Sequence, residues 1–337
     1  MVSRPQSDLS NPTQAISLDF GTYLTQRQQK LSVHLANGVP DYSFSLDRTL
    51  QKQISSIGPI RALTQTIVSF AVPIQKQIQQ MQSIAVSPRQ YPEIYAIGEE
   101  CAHRLGIGIP QIFICSALEG HACTIATDDV TPMIILSSGI VERLELGELK
   151  FVIGHECGHI HNLHGVYNTA VELMTNALIR MVLEQFVATG LPNLLDAAEK
   201  VIHGGIMLFL LRWSRCAEIT CDRAGLICCG DLNTANVALA KLITGGGDRL
   251  KNINIQEFIN QVRTVQSTPV RLLELASTHP LLPRRMEALN LFAECDTFYA
   301  WRKELQFSET SRSQFETDRL CEQIINITNT KIKTDQI

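Results

Sequence analysis

Residues 155–159 read His-Glu-Cys-Gly-His. Histidines four apart leave the same face of an α-helix about one turn from each other. Two imidazole nitrogens need that spacing to grip one zinc ion, and Glu156 stands where it can take a proton from a metal-bound water. A grip of two histidines needs a third donor. The variant with a third histidine, H-E-x-x-H-x-x-G-x-x-H, fails because Asn162 fills the glycine slot and Gly165 the histidine slot. His161 and His164 point elsewhere on such a helix and read as solvated surface residues.

The other route takes a glutamate from a second helix and keeps one position open for water. Downstream candidates are Glu172, Glu184, Glu199 and Glu218. Glu218 stands out because Asp222 follows one turn later, where a carboxylate can accept the outer N–H of a ligating histidine and fix its tautomer. Trp213, Ala217, Cys221 and Ala224 form the buried stripe of that second helix. The competing reading is a surface Glu/Asp pair neutralised by Arg215 and Arg223. Spacing alone balances the two.

These residues resemble a known family. His155-Glu156-x-x-His159, then Glu218-x-x-x-Asp222 in a Ser-Arg-x-x-Glu-x-x-x-Asp-Arg context, then Thr278-His279-Pro280 with Arg285 six residues on, look like the HtpX-type and CAAX-prenyl-protease-type zinc metallopeptidases. The closer resemblance is to relatives without membrane helices, and it runs over roughly residues 90–295. It implies a gluzincin fold with one zinc per chain, held by His155, His159 and Glu218, and Glu156 as general base. It implies further that Asp222 orients a ligand and that His279 and Arg285 support the transition state or the site's structure. Cys157 and Cys221 stand where the pattern has a bulky apolar residue and an alanine. Both read as buried small hydrophobes, ahead of a redox role.

Positioning such a site needs a helix that carries the pentapeptide. Leu149, Val152, Ile153, Ile160 and Leu163 recur at helical spacing, with Glu145 and Glu148 near the start, so a helix is expected from about 146 to 164. Upstream, Gln111–Cys115, His121–Ala126 and Pro132–Leu136 read as short strands, the last two joined by an Asp128-Asp129 turn. The pattern is that of a small antiparallel sheet ahead of the motif helix. An edge strand there would pair with a peptide backbone. His121–Ala126 is the choice for it, which makes His121, Ala122, Cys123 and Thr124 candidate substrate contacts, although His121 also reads as an exposed turn residue. Downstream the expectation is helical: about 168–188, 194–211, the Glu218 helix to about 229, 233–243 and 283–305. Gly245-Gly246-Gly247 lacks the Lys-Ser/Thr of a phosphate loop. The fold class is therefore α+β and mostly helical.

Three regions follow. Residues 1–85 form a loosely ordered and helical extension packed on the catalytic unit, 86–305 the metallopeptidase domain, and 306–337 a polar C-terminal tail. A net charge of −4 offers no basic face for nucleic acid. The ten cysteines form no C-x-x-C pair, and with no secretory start they read as reduced thiols in the cytoplasm. Ala62–Gln75 and Val201–Leu211 are too short and interrupted to span a bilayer. For the second of these, core packing is preferred over peripheral membrane contact. The expected activity is endopeptidase hydrolysis of a peptide or protein substrate, with zinc polarising water and carbonyl and His279 facing the oxyanion. Two alternatives are a non-catalytic zinc scaffold, which has no reason to keep Glu156, and a cysteine hydrolase built on Cys157 or Cys221. Substrate preference and oligomeric state leave no mark in the sequence.

Overall fold

The computed structural model describes residues 34–36, 39–57, 72–127, 130–165, 167–168, 171, 206–245, 253–263, 274–275, 277–305 and 311–325. A two-residue hairpin, β1 (Leu35–Ala36) with β2 (Val39–Pro40), leads into α1 (Ser45–Ser56). Helix α2 (72–82) runs into β3 (Ser83–Ala85), followed by α3 (Pro92–Leu105). Strands β4 (Gln111–Cys115), β5 (Ala122–Thr127) and β6 (Val130–Ser137) come next, then the short α4 (Ser138–Arg143). The motif helix is α5 (Leu146–His161) and the Glu218 helix is α6 (Ile206–Cys229). The rest is helical: α7 (Leu232–Thr244), α8 (Ile255–Arg263), α9 (Leu282–Ala293), α10 (Asp296–Trp301) and α11 (Gln314–Ile325).

The α+β, mainly helical architecture agrees with the sequence, but the sheet is mixed where the sequence predicts an antiparallel one. Its order is β3-β4-β6-β5, with β4 parallel to β6. β5 and β6 form the expected antiparallel hairpin, and β3 pairs antiparallel with β4. The reason lies in β4: Gln-Ile-Phe-Ile is buried residue after residue, as suits an interior strand covered on both faces. The chain therefore leaves β4, passes its own next neighbour and returns along the outside, which puts β5 at the edge.

Three further expectations change. The Glu218 helix has no break at Arg212; α6 runs unbroken from Ile206. The helix expected over 283–305 is two, because Glu294 caps α9 and α10 restarts at Asp296. The supposed polar tail contains α11, whose Cys321 and Ile325 are buried and whose Asp318 pairs with Arg223 of α6 at 2.8 Å. Expectations about residues 1–33, the Asp128-Asp129 turn, Glu172, Glu184, Glu199, Gly246, Gly247 and most of the 168–211 stretch fall outside the described residues.

The main core lies between the sheet, α3, α5, the end of α6, α7 and α9. A second core joins α1, the first half of α6 and α11 around the fully buried Trp213. Phe113, Ile125, Met133 and Ile135 form a third on the opposite face of the sheet, covered by Val72 of α2. Every residue of α5 from Phe151 to Ile160 is buried, so it is a central helix rather than a surface one. Its start is a reciprocal capping box between Glu145 and Glu148, and Lys241 neutralises Glu148 at 2.7 Å.

Candidate metal centre

Among the described residues, helices α5 and α6 make the most extensive helix pairing. Glycine lets them approach. A Cβ on Gly158 would lie 2.8 Å from the Ala224 Cβ and 3.0 Å from the Cys221 Cα, and one on Gly154 would lie 2.5 Å from the Cys228 Cβ. The glycine inside the pentapeptide is thus a packing requirement of the site.

That approach brings Glu218 to the histidines. His155 Nε2 is 3.5 Å from Glu218 Oε2, and His159 Nε2 is 3.4 Å from Oε1. Zinc–ligand bonds of about 2.1 Å in a tetrahedron separate the ligand atoms by about 3.4 Å. Glu218 Oε2 is buried and makes no hydrogen bond, although Arg285 Nη1 lies 3.1 Å away. Three lone-pair donors converging on one point, one of them an unsatisfied buried oxygen, fit a dication. Burial pushes the Glu218 carboxyl up, but His279, Arg285 and His155 together with the hydrogen bond to His159 outweigh it and hold it well below the usual range. Burial pulls His159 down, and the hydrogen bond and charge of Glu218 outweigh that and raise it. The surface-pair reading of Glu218 and Asp222 is excluded by burial: they are 3% and 1% exposed. Arg215 and Arg223 are engaged elsewhere, Arg215 donating to the carbonyls of Leu275 and Ser277 and Arg223 to the carbonyl of Tyr42.

The outer nitrogens of the two histidines have different partners. His155 Nδ1 lies 3.0 Å from Asp222 Oδ1. Arg285 Nε and Nη2 donate to Asp222 Oδ2 and Oδ1 at 2.8 and 2.6 Å, a two-pronged pair. Burial raises the Asp222 carboxyl, but the Arg285 charge and hydrogen bonds win and lower it. His159 Nδ1 instead faces the Asn168 amide at 2.8 Å and His164 Nδ1 at 3.3 Å.

His164 is therefore not a solvated residue: it is fully buried, with Nε2 3.0 Å from Asp47 Oδ2. The helix expected to reach 164 ends at His161. Leu163 takes a left-handed conformation at φ 57°, and the Leu163 and His164 amides donate back to the Ile160 and His159 carbonyls. This 6→1 and 5→2 closure reverses the chain under the helix and tucks His164 against His159. His161 is half-buried, within hydrogen-bond distance of the Tyr42 hydroxyl at 3.0 Å.

Glu156 is buried beneath β5. Thr124 Oγ1 donates to Glu156 Oε2 at 2.6 Å and lies 3.2 Å from the Glu156 carbonyl. Alternation along the strand turns Thr124 toward α5, while Cys123 and Ile125 face the core under α2. Sequence reasoning placed Thr124 among substrate contacts and missed this hydrogen bond. Ala122 and Cys123 are half-buried on the same edge strand, and His121 is exposed just before its start. His279 is on the rim: its side chain is 60% exposed, with Nε2 3.6 Å from Glu218 Oε2 and Nδ1 2.8 Å from the Thr278 hydroxyl.

A second donor set exists. His155, His159 and Cys221 offer atoms within 4.8 Å of one another. We favour Glu218. The Cys221 Sγ lies 3.6 Å from His164 Nδ1, on the side of the outer nitrogens. Burial, reinforced by Glu218, Asp47 and other carboxylates, pushes its thiol well up. Cys157 is also fully buried, in the main core near Cys101, and burial raises it too.

A central helix bearing two histidines, a second helix turning an ionised carboxylate toward them and an edge strand alongside define a zincin-like fold. The profile of peptidase family M48 matches residues 88–292, a span that includes His155, Glu156, His159, Glu218, Asp222, His279 and Arg285. The chain belongs to peptidase family M48. It is 30% identical over 182 residues to the plastoglobule-localized metallopeptidase 48, chloroplastic, of Arabidopsis thaliana, covering 54% of this chain and 49% of that protein. It is 25% identical over 206 residues to protease HtpX of Hydrogenovibrio crunogenus, covering 56% and 66%. It is 27% identical over 221 residues to a protease HtpX homolog of Moorella thermoacetica, covering 60% and 73%. The chain thus spans about half to two thirds of the length of the first two. No solved structure matches it significantly. No helix among the described residues is long and apolar enough to cross a membrane.

Proposed function

We propose that this chain is a zinc-dependent endopeptidase in which His155, His159 and Glu218 hold one zinc ion and Glu156 is the general base. The observation that carries the reading is the convergence of two Nε2 atoms on an ionised carboxylate with an unsatisfied oxygen. When bound there, zinc supplies Lewis acidity that makes water a nucleophile near neutral pH and polarises the scissile carbonyl.

The chain's own groups do the rest. The outer edge of β5 has no strand partner among the described residues, and a sheet edge of that kind suits an extended substrate backbone. The Thr124 hydroxyl occupies Glu156 Oε2, which leaves Oε1 to take the proton as the water oxygen bonds the carbonyl carbon. Glu156 then returns that proton to the leaving nitrogen as the C–N bond breaks. His279, at the rim, donates to the developing oxyanion. Asp222, clamped by Arg285, keeps the proton of His155 on Nδ1 and so turns its Nε2 lone pair inward. The substrate is a peptide or protein. The ten cysteines form no disulfide, which suits a reducing compartment such as the cytoplasm.

Replacing Glu156 with Gln should leave zinc bound and lower kcat on a peptide library by about 10²–10⁴-fold. A fully active Glu156→Gln protein would sink the general-base assignment. Hydrolysis that survives a chelator but stops with iodoacetamide would point to a cysteine hydrolase instead.

A further inference from the structure

The carboxylate of Asp47 is buried, 1% exposed, on the first turn of α1 and far in sequence from the pentapeptide. Three donors surround it. Trp213 Nε1 donates to Oδ1 at 2.9 Å, Thr220 Oγ1 donates to Oδ2 at 2.6 Å, and His164 Nε2 lies 3.0 Å from Oδ2. No lysine or arginine pairs with it among the described residues, so its charge is balanced only by these dipoles and the imidazole. A carboxylate of this kind is costly to bury, and three structural hydrogen bonds could have been made by a neutral amide.

We propose that Asp47 is a positioning residue for metal binding, acting through His164 on His159; the inference rests on the zinc site described above. His159 can bind a metal through Nε2 only if its ring proton sits on Nδ1. That Nδ1–H then needs acceptors. The nearest group is the Asn168 amide, and Asn168 Oδ1 is buried without a hydrogen bond when Nδ2 faces the ring. A half-turn of the amide presents Oδ1 to His159 and removes that orphan. The second acceptor is His164 Nδ1, which has a lone pair only if the His164 proton sits on Nε2. Asp47 holds it there. Without that negative charge, His164 can place its proton on Nδ1 and donate to His159 Nδ1, and the proton of His159 moves to Nε2, where it blocks the metal. The turn at Leu163, in a strained left-handed conformation, is what places His164 between the two. Asp47 lies outside residues 88–292, so a helix beyond the matched segment supplies this support.

Asp47→Asn preserves shape but offers an N–H to His164 and inverts its tautomer. Thr220→Val removes a hydrogen bond to the same carboxylate oxygen and leaves the imidazole alone. Zinc affinity of the full-length chain is measured by competition with a chromophoric chelator, alongside the visible spectrum of the cobalt-substituted protein. We expect Asp47→Asn to raise the zinc Kd about tenfold and to shift the cobalt bands, a typical cost for an outer partner of a ligand. Thr220→Val should lower thermal stability and keep the Kd within about twofold of the wild type, since the charge that sets the tautomer is retained. Equal zinc loss in both variants, or a Kd unchanged in Asp47→Asn, overturns the proposal. If Asp47→Asn does not fold, His164→Phe, which keeps a ring against Trp213, should raise the Kd by the same factor, and an unchanged Kd there overturns it equally. Failure of the wild type to bind zinc would instead defeat the site reading itself.

Discussion

The two histidines of the pentapeptide are equivalent in sequence and unlike in how they are held. His155 is backed by a compact ion pair, Asp222 with a two-pronged Arg285, drawn from α6 and α9. His159 is backed by an amide and a second imidazole, and behind that a lone carboxylate from α1. Charge is delivered directly to one and at one remove to the other. A symmetric motif thus sits in an asymmetric scaffold, with one support inside the segment shared with relatives and the other outside it.

The largest effect belongs to the His155 side. Asp222→Asn breaks the buried ion pair with Arg285, a loss of at most about 3–5 kcal/mol, and leaves Glu218, 3.1 Å away, as the guanidinium's remaining carboxylate. We expect zinc affinity to fall about 100-fold, the upper end for an outer partner, and the unfolding midpoint to drop; chelator competition and thermal unfolding check both. A loss no larger than that of Asp47→Asn would erase the contrast between the two histidines.

A smaller effect separates holding metal from moving protons. Thr124→Val keeps the strand and its packing but removes the hydroxyl from Glu156 Oε2. A hydrogen bond to a charged group contributes about 1.5–3 kcal/mol, so kcat should fall roughly 10-fold or more while zinc content and affinity stay unchanged. Steady-state kinetics with a fixed peptide substrate reads it. A variant that loses zinc would show that Thr124 supports the metal site instead.

Much of the site was legible because its chemistry is written at short spacing. The turn-apart pairs His155/His159 and Glu218/Asp222 each share a helix face, and the two helices meet at one point together with Arg285 and His279. What the sequence hides depends on long-range geometry. Asp47 looks like any acidic residue favoured in a first helical turn, and nothing local says that α1 packs its first turn against α6. His164 reads as solvated only when the helix is carried through it. The reversal happens at Leu163, a branched residue in a conformation that glycine usually fills, so no glycine marks the stop. The parallel β4–β6 pairing is hidden because β5, the nearest strand in sequence, is not β4's neighbour in space.

The proposed site takes a carboxylate of α6, Glu218, and not the thiol at Cys221, as its third metal donor. Zinc per chain, measured by mass spectrometry on purified wild type, Glu218→Ala and Cys221→Ala, decides between the two donors. We expect about one zinc in the wild type and in Cys221→Ala, and its loss in Glu218→Ala. Zinc retained by Glu218→Ala and lost from Cys221→Ala would contradict it.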